Sequence, residues 1–182
     1  MTGVQTCALP IFELDKRYFA ELAAVVRRLP SRERRIVEPL VSLEITLQNL
    51  VWAMRLRNYF NLPWEEAEKL LFPTGYAEIP GLAQNLYELP FDDPAPWEKT
   101  KYGRLLGLFR DGRIDPEGAE GAAMKYLYLR TRRLFYGNPF TLSAVYAFFR
   151  IKRYESMLVK SVSEGVRMNI PPARLAEMIG AS

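Results

Sequence analysis

Six apolar residues, Ile36, Leu40, Leu43, Leu47, Leu50 and Met54, recur at alternating steps of four and three. At 3.6 residues per turn this spacing puts all six on one side of an α-helix. So long a seam needs a helical partner along its whole course, so the surrounding chain must be built from packed helices. Pro39 lies inside the run. A proline is tolerated in a first turn, where its missing N–H leaves no bond unmade, so the main helix is placed with its start near Pro39. Asn61-Leu62-Pro63 should end it, and a short helix from Trp64 to Phe72 should follow.

The rest of the chain repeats this grammar. Glu13 to Arg28 carries Leu14, Tyr18, Leu22 and Val25 at helical steps; Pro30 ends that helix and Ser31 can cap the next. A proline-rich connector, residues 73–97, leaves room for a short helix around Leu82 to Leu89. Trp97 to Phe109 reads as a helix, and Asp111-Gly112 as a turn. Asp115-Pro116 offers a cap and a first-turn proline for a helix running to Phe135. After a break at Tyr136-Gly137-Asn138-Pro139, Thr141 to Val166 forms a second long helix, and Pro171-Pro172 opens a final short one to Ile179. Nowhere does strict alternation outcompete the helical period, so the expected fold is all-α. Residues 12–182 form a helical domain, which can divide into two bundles, 12–90 and 91–182. Asn61-Leu62-Pro63 is echoed by Asn169-Ile170-Pro171, each pairing a long helix with a short one, which suggests a repeated helical unit.

Composition narrows the chemistry. The 182 residues include no histidine and one cysteine, Cys7. A Ser-His-Asp triad, a Cys-His dyad, His-ligated zinc, an intrachain disulfide and an iron–sulfur cluster are therefore all excluded. Gly103 to Gly107 lacks the Gly-Lys-Ser/Thr ending of a phosphate loop. The expectation is a non-enzyme without cofactor or metal. The longest uncharged run, Leu134 to Phe149, is broken by Gly137, Asn138 and Pro139 and is too short to span a bilayer. Residues 1–11, MTGVQTCALPI, carry no charge and resemble the translation of a sequencing adapter joined in frame to a partial gene; Phe12 is then an interior point of a longer protein.

The net charge is +4 and the pI about 9.2. Arginines cluster at Arg27, Arg28, Arg32, Arg34 and Arg35, at Arg130, Arg132 and Arg133, and again at Arg150, Lys152 and Arg153. Nucleic-acid binding is one reading of such clusters. Glutamates interleave the first cluster and no nucleic-acid recognition motif accompanies it, which favours a solvated face or a basic surface for an acidic protein or lipid headgroups. Two polar residues fall on apolar stripes. Glu155 lies between Ile151 and Leu158 on the stripe Phe148, Ile151, Glu155, Leu158, Val162, and Asn49 lies on the edge Val41, Ile45, Asn49, Trp52. A buried carboxylate must be paired, so Glu155 is expected to meet an arginine, a lysine or backbone donors. Each residue either contacts a partner or is satisfied internally.

Several segments resemble a known family. Glu13-Leu14-Asp15-Lys16-Arg17-Tyr18-Phe19, and above all Leu43-Glu44-Ile45-Thr46-Leu47-Gln48-Asn49-Leu50 followed by Trp52-Ala53-Met54-Arg55-Leu56-Arg57-Asn58-Tyr59-Phe60, are similar to the C-type component of V/A-type ATPases, the relatives of the d-type component of eukaryotic V-ATPases. Asn138-Pro139-Phe140, Tyr146 and Glu155 resemble that family's second motif. Thr46 stands where the family usually has Asp, and Ser156-Met157-Leu158 where it has Arg-Asn-Leu. The resemblance runs from Glu13 to the C-terminus and covers the family's C-terminal portion. It implies helical bundles arranged as a funnel, and a non-catalytic rotor part linking the central stalk to the membrane proteolipid ring, peripheral on the cytoplasmic face, in proton or sodium transport coupled to ATP. Its implied partners are the stalk proteins and the ring, with no nucleic acid. The implied structural or partner-contact residues are Glu44, Asn49, Trp52, Arg55, Arg57, Tyr59, Tyr146 and Glu155. The alternative is a helical adaptor or nucleic-acid-binding module with a basic surface.

Overall fold

The computed structural model describes residues 9–72, 78–107, 109–110, 112–137 and 139–179. The fold is all-α, with helices α1 (Leu9–Arg27), α2 (Ser31–Phe60), α3 (Trp64–Ala67), α4 (Glu78–Tyr87), α5 (Ala95–Lys99), α6 (Lys101–Leu106), α7 (Pro116–Phe135), α8 (Leu142–Arg167) and α9 (Pro172–Ile179). A 3₁₀ turn, Glu68–Leu70, extends α3, and two-residue strands, β1 (Phe109–Arg110) and β2 (Arg113–Ile114), pair antiparallel. The chain forms two compact units, Met1–Leu127 and Tyr128–Ser182, divided within α7. A division at residue 90 would fall inside the first unit.

In the first unit everything is organised around α2. Leu40, Leu47, Leu50 and Met54 of the expected seam are buried, and so are Val37, Val41, Ile45, Val51, Ala53 and Leu56 from other faces. A helix enclosed on nearly all sides is a core element rather than a surface one. Around it lie Leu71, Ala83, Leu86, Trp97, Leu106 and the i, i+4, i+8 line Ala119, Ala123, Leu127 of α7. Each buried leucine of this set contributes about 1.5–3 kcal/mol, and each alanine less.

The helix begins earlier than expected. Ser31 is its first residue rather than its cap, Pro30 stands at the N-cap without a side-chain bond, and Pro39 lies inside the helix. Pro39 and Arg35 are both exposed, so the intrahelical bond that Pro39 cannot make is lost at a solvent-accessible position. Val37 and Leu40 remain buried on the opposite side, where α1 packs on α2. That packing outweighs a proline whose usual effect is to break the helix. On α1 the buried line is Phe19, Ala23 and Val26, whereas Leu14, Tyr18 and Val25 of the expected stripe are exposed.

The stops follow the sequence closely. Asn61 adopts φ 49°, ψ 39°, and its N–H donates to Arg57 O at 3.1 Å. Asn169 adopts φ 56°, and Ile170 N–H donates to Gly165 O at 2.9 Å. Both asparagines take the left-handed turn that closes a helix, and a proline two residues on prevents its resumption. Asp115 Oδ1 accepts from Gly118 N–H at 2.8 Å, capping α7. The helix expected over Trp97–Phe109 is instead split at Thr100, whose extended backbone starts α6 and whose Oγ1 accepts from Gly103 N–H at 2.9 Å. Glycine is required there, because a Cβ on Gly103 would collide with the Trp97 carbonyl oxygen.

In the second unit, the buried line of α8 is Ser143, Ala147, Arg150 and Tyr154, and Tyr154 stacks on Tyr128 with centroids 4.6 Å apart. Leu175 of α9 seats against Gly165, so the short helix folds back on the long one. The stripe Phe148, Ile151, Glu155, Leu158, Val162, expected to pack, is half-buried to exposed.

Candidate functional site

The candidate residues on α2 fall into one continuous system of internal fastenings. Asn49, 1% exposed, donates from Nδ2 to Phe72 O at 3.2 Å and accepts at Oδ1 from Phe72 N–H at 2.7 Å. One side chain thereby satisfies both backbone groups of a residue that lies beyond any helix, as a neighbouring strand would. One turn on, Trp52 Nε1 donates to Leu70 O at 2.9 Å. Together they pin the end of the α3 segment. Trp64 also packs edge-on to Tyr87, whose hydroxyl donates to Leu62 O.

A second row faces α7. Gln48 lies opposite Met124 at 4.0 Å, and Arg55 Nη2 donates to Glu120 Oε2 at 2.5 Å. Tyr59, further along, interacts with Glu117. The partners descend along α7 as the residues ascend along α2, the order of an antiparallel pair. The Tyr59 hydroxyl is pushed above the ordinary tyrosine range, first by desolvation and then by the Glu117 carboxylate.

Arg57 serves a third contact. Its guanidinium lies 3.7 Å from the Phe91 ring centroid and 5.6 Å from that of Tyr87. Burial holds its pKa below the usual arginine value, and Nη1 has no hydrogen-bond partner. The aromatic faces take the place of a carboxylate there. Tyr87 in turn is raised, chiefly by desolvation. Glu44 is buried at 2% exposure within α2. Charge interleaving among the first arginines suggested solvent for Glu33, Glu38 and Glu44 alike. Only Glu38, beside Arg34 at 3.8 Å, and Glu33 retain access to solvent.

The two candidates of the second unit sit differently. Tyr146 is half-buried, with the Arg150 guanidinium 5.2 Å from its ring centroid. Glu155 is exposed and pairs with Lys152 on its own helix at 2.7 Å. It is paired, as a carboxylate on an apolar stripe should be, but not buried. Of the Asn138-Pro139-Phe140 motif, Asn138 lies outside the described residues, and Phe140 is 95% exposed. Glu155 is instead one of the residues lining a cleft of about 220 Å³, with Tyr128, Arg132, Phe135, Tyr136, Phe148, Ile151 and Lys152. Sequence reasoning did not single this cleft out, although its wall is the same Phe148-Ile151-Glu155 stripe. Among the described residues there is no group of three or more acidic, Cys or His side chains that could hold a metal, and no helix is long and apolar enough to cross a membrane.

Comparison with known proteins adds to this geometry. The sequence model of the family described as ATP synthase (C/AC39) subunit matches residues 12–178. A Treponema pallidum (strain Nichols) protein, described as uncharacterized, is 25% identical over 175 residues, 92% of this chain and 51% of that protein. The chain therefore spans about half the length of the curated relative it matches. No solved structure matches it.

Proposed function

Because the chain belongs to the ATP synthase (C/AC39) subunit family, we propose that it is a non-catalytic part of a V/A-type ATPase rotor that joins the central stalk to the membrane proteolipid ring. The match over residues 12–178 carries this reading. Physical features support it. A part that transmits torque needs stiffness and complementary surface rather than a reactive group. The α2 residues most characteristic of the resemblance are engaged in fastening one compact unit, with Asn49 on Phe72, Trp52 on Leu70 and Arg55 on Glu120. The second unit presents aromatic and basic side chains outward. In this reading the protein lies on the cytoplasmic face of the membrane, couples ATP-driven rotation to proton or sodium movement, and itself neither binds nor hydrolyses ATP.

Co-expression with the central-stalk proteins and proteolipid of a V/A-type ATPase tests this. Co-purification in fixed stoichiometry, with no heat of nucleotide binding by the isolated chain at micromolar concentration, is the expected result. Failure to join either partner, together with salt-resistant binding to duplex RNA or DNA, would transfer the protein to the nucleic-acid-binding alternative.

A further inference from the structure

We propose that the cleft between the end of α7 and the first half of α8 is a docking site for an acidic, apolar helical segment of a partner protein. The chemistry of this partner is the same whether or not it belongs to the stalk.

At about 220 Å³ the cleft is smaller than the roughly 300–1,000 Å³ typical of small-molecule and cofactor sites. It has room for one or two side chains. Its walls are the rings of Phe135 and Phe148 and the side chain of Ile151, with Arg132 and Lys152 among the lining residues. Lys152 already has Glu155. Arg132 is exposed, lies 5.7 Å from the Tyr136 ring centroid and makes no ion pair among the described residues. The surrounding unit is strongly basic: Tyr128–Ser182 holds nine Lys/Arg against three Asp/Glu, a net +6, whereas Met1–Leu127 is net −2.

These features select the occupant. On a helix surface an acid and an apolar residue three or four positions apart stand side by side, which matches a cation next to an apolar hollow. Arginine and aromatic side chains are the types that anchor protein interfaces. A bilayer surface would match the positive charge. It is too flat to fill a concavity.

The test is selection from a randomised library of helical peptides displayed on phage, using the full chain as bait. Enriched peptides should carry Glu or Asp with Leu, Ile or Phe three or four residues away. Synthetic copies should bind about tenfold more weakly to Arg132→Gln, the worth of one charge-assisted hydrogen bond. The exposed neighbour, in Arg133→Gln, should leave their binding unchanged, and matching melting curves for both variants would show an intact fold. Enriched peptides without acids, or equal binding to Arg132→Gln, would overturn the proposal. So would Arg132-dependent binding to phosphatidylglycerol vesicles with no peptide enriched, which would assign the surface to a membrane.

Discussion

The two units use polar and aromatic residues in opposite ways. In Met1–Leu127, Asn49, Trp52, Arg55 and Arg57 turn inward and hold neighbouring segments against α2. In Tyr128–Ser182, Tyr136, Phe140 and Phe149 lie largely exposed, and Lys and Arg outnumber Asp and Glu nine to three. The comparison separates two meanings of a residue pattern. A motif rich in Arg, Asn and Trp invites a search for a ligand, yet on α2 it describes how a helix is enclosed. Surface suited to a partner lies where a less motif-like stripe leaves apolar area open beside positive charge.

The sharpest way to break this contrast is a pair of truncations. Leu50→Ala, at a fully buried position, should cost about 2–5 kcal/mol in urea unfolding. Phe140→Ala removes a larger side chain and should stay within about 0.5 kcal/mol, because that ring contributes little to folding. Equal losses would erase the distinction. Next in size, Asn49→Ala should cost about 2–4 kcal/mol, since it orphans both the N–H and the C=O of Phe72 in a buried site. A loss below half a kcal/mol would mean that water replaces the side chain.

The Arg55–Glu120 pair is partly exposed, at 27% and 44%. A double-mutant cycle should give a coupling of about 0.5–1 kcal/mol that shrinks as salt is added. A salt-independent coupling well above this would show a more enclosed contact between α2 and α7. Smallest of all, Glu155→Gln breaks only an exposed pair on one helix and should move stability by no more than about 0.5 kcal/mol in a thermal melt. A loss of several kcal/mol would return Glu155 to a buried stripe and remove the reason for treating its surroundings as a binding face.

Much of this was legible in the residues, for local reasons. Asn61-Leu62-Pro63, Asn169-Ile170-Pro171 and Asp115-Pro116 announce helix ends because capping depends on two or three neighbouring residues. The α2 seam was legible because periodicity reports which side can be buried. Periodicity does not report whether another element covers that side. For this reason the Phe148-Ile151-Glu155 stripe was expected to pack, although it lines an open cleft. Local propensity at Pro39 favours a helix start, whereas the packing of Val37 and Leu40 carries the helix past it from Ser31. The partner of Asn49 lies 23 residues away, and no spacing rule connects them. The small β pairing did have a signal, since Asp111-Gly112 between Phe109-Arg110 and Arg113-Ile114 is a hairpin dipeptide.

Hydrogen–deuterium exchange on the full chain, alone and then assembled with the central-stalk proteins, tests most directly the claim that the α2 motif fastens the fold while Tyr128–Ser182 meets partners. Peptides of α2 should be strongly protected already in the isolated chain and unchanged on assembly, while peptides covering 128–160 gain protection. Peptides of α2 that exchange freely alone and become protected only in the complex, with 128–160 unaffected, would contradict it.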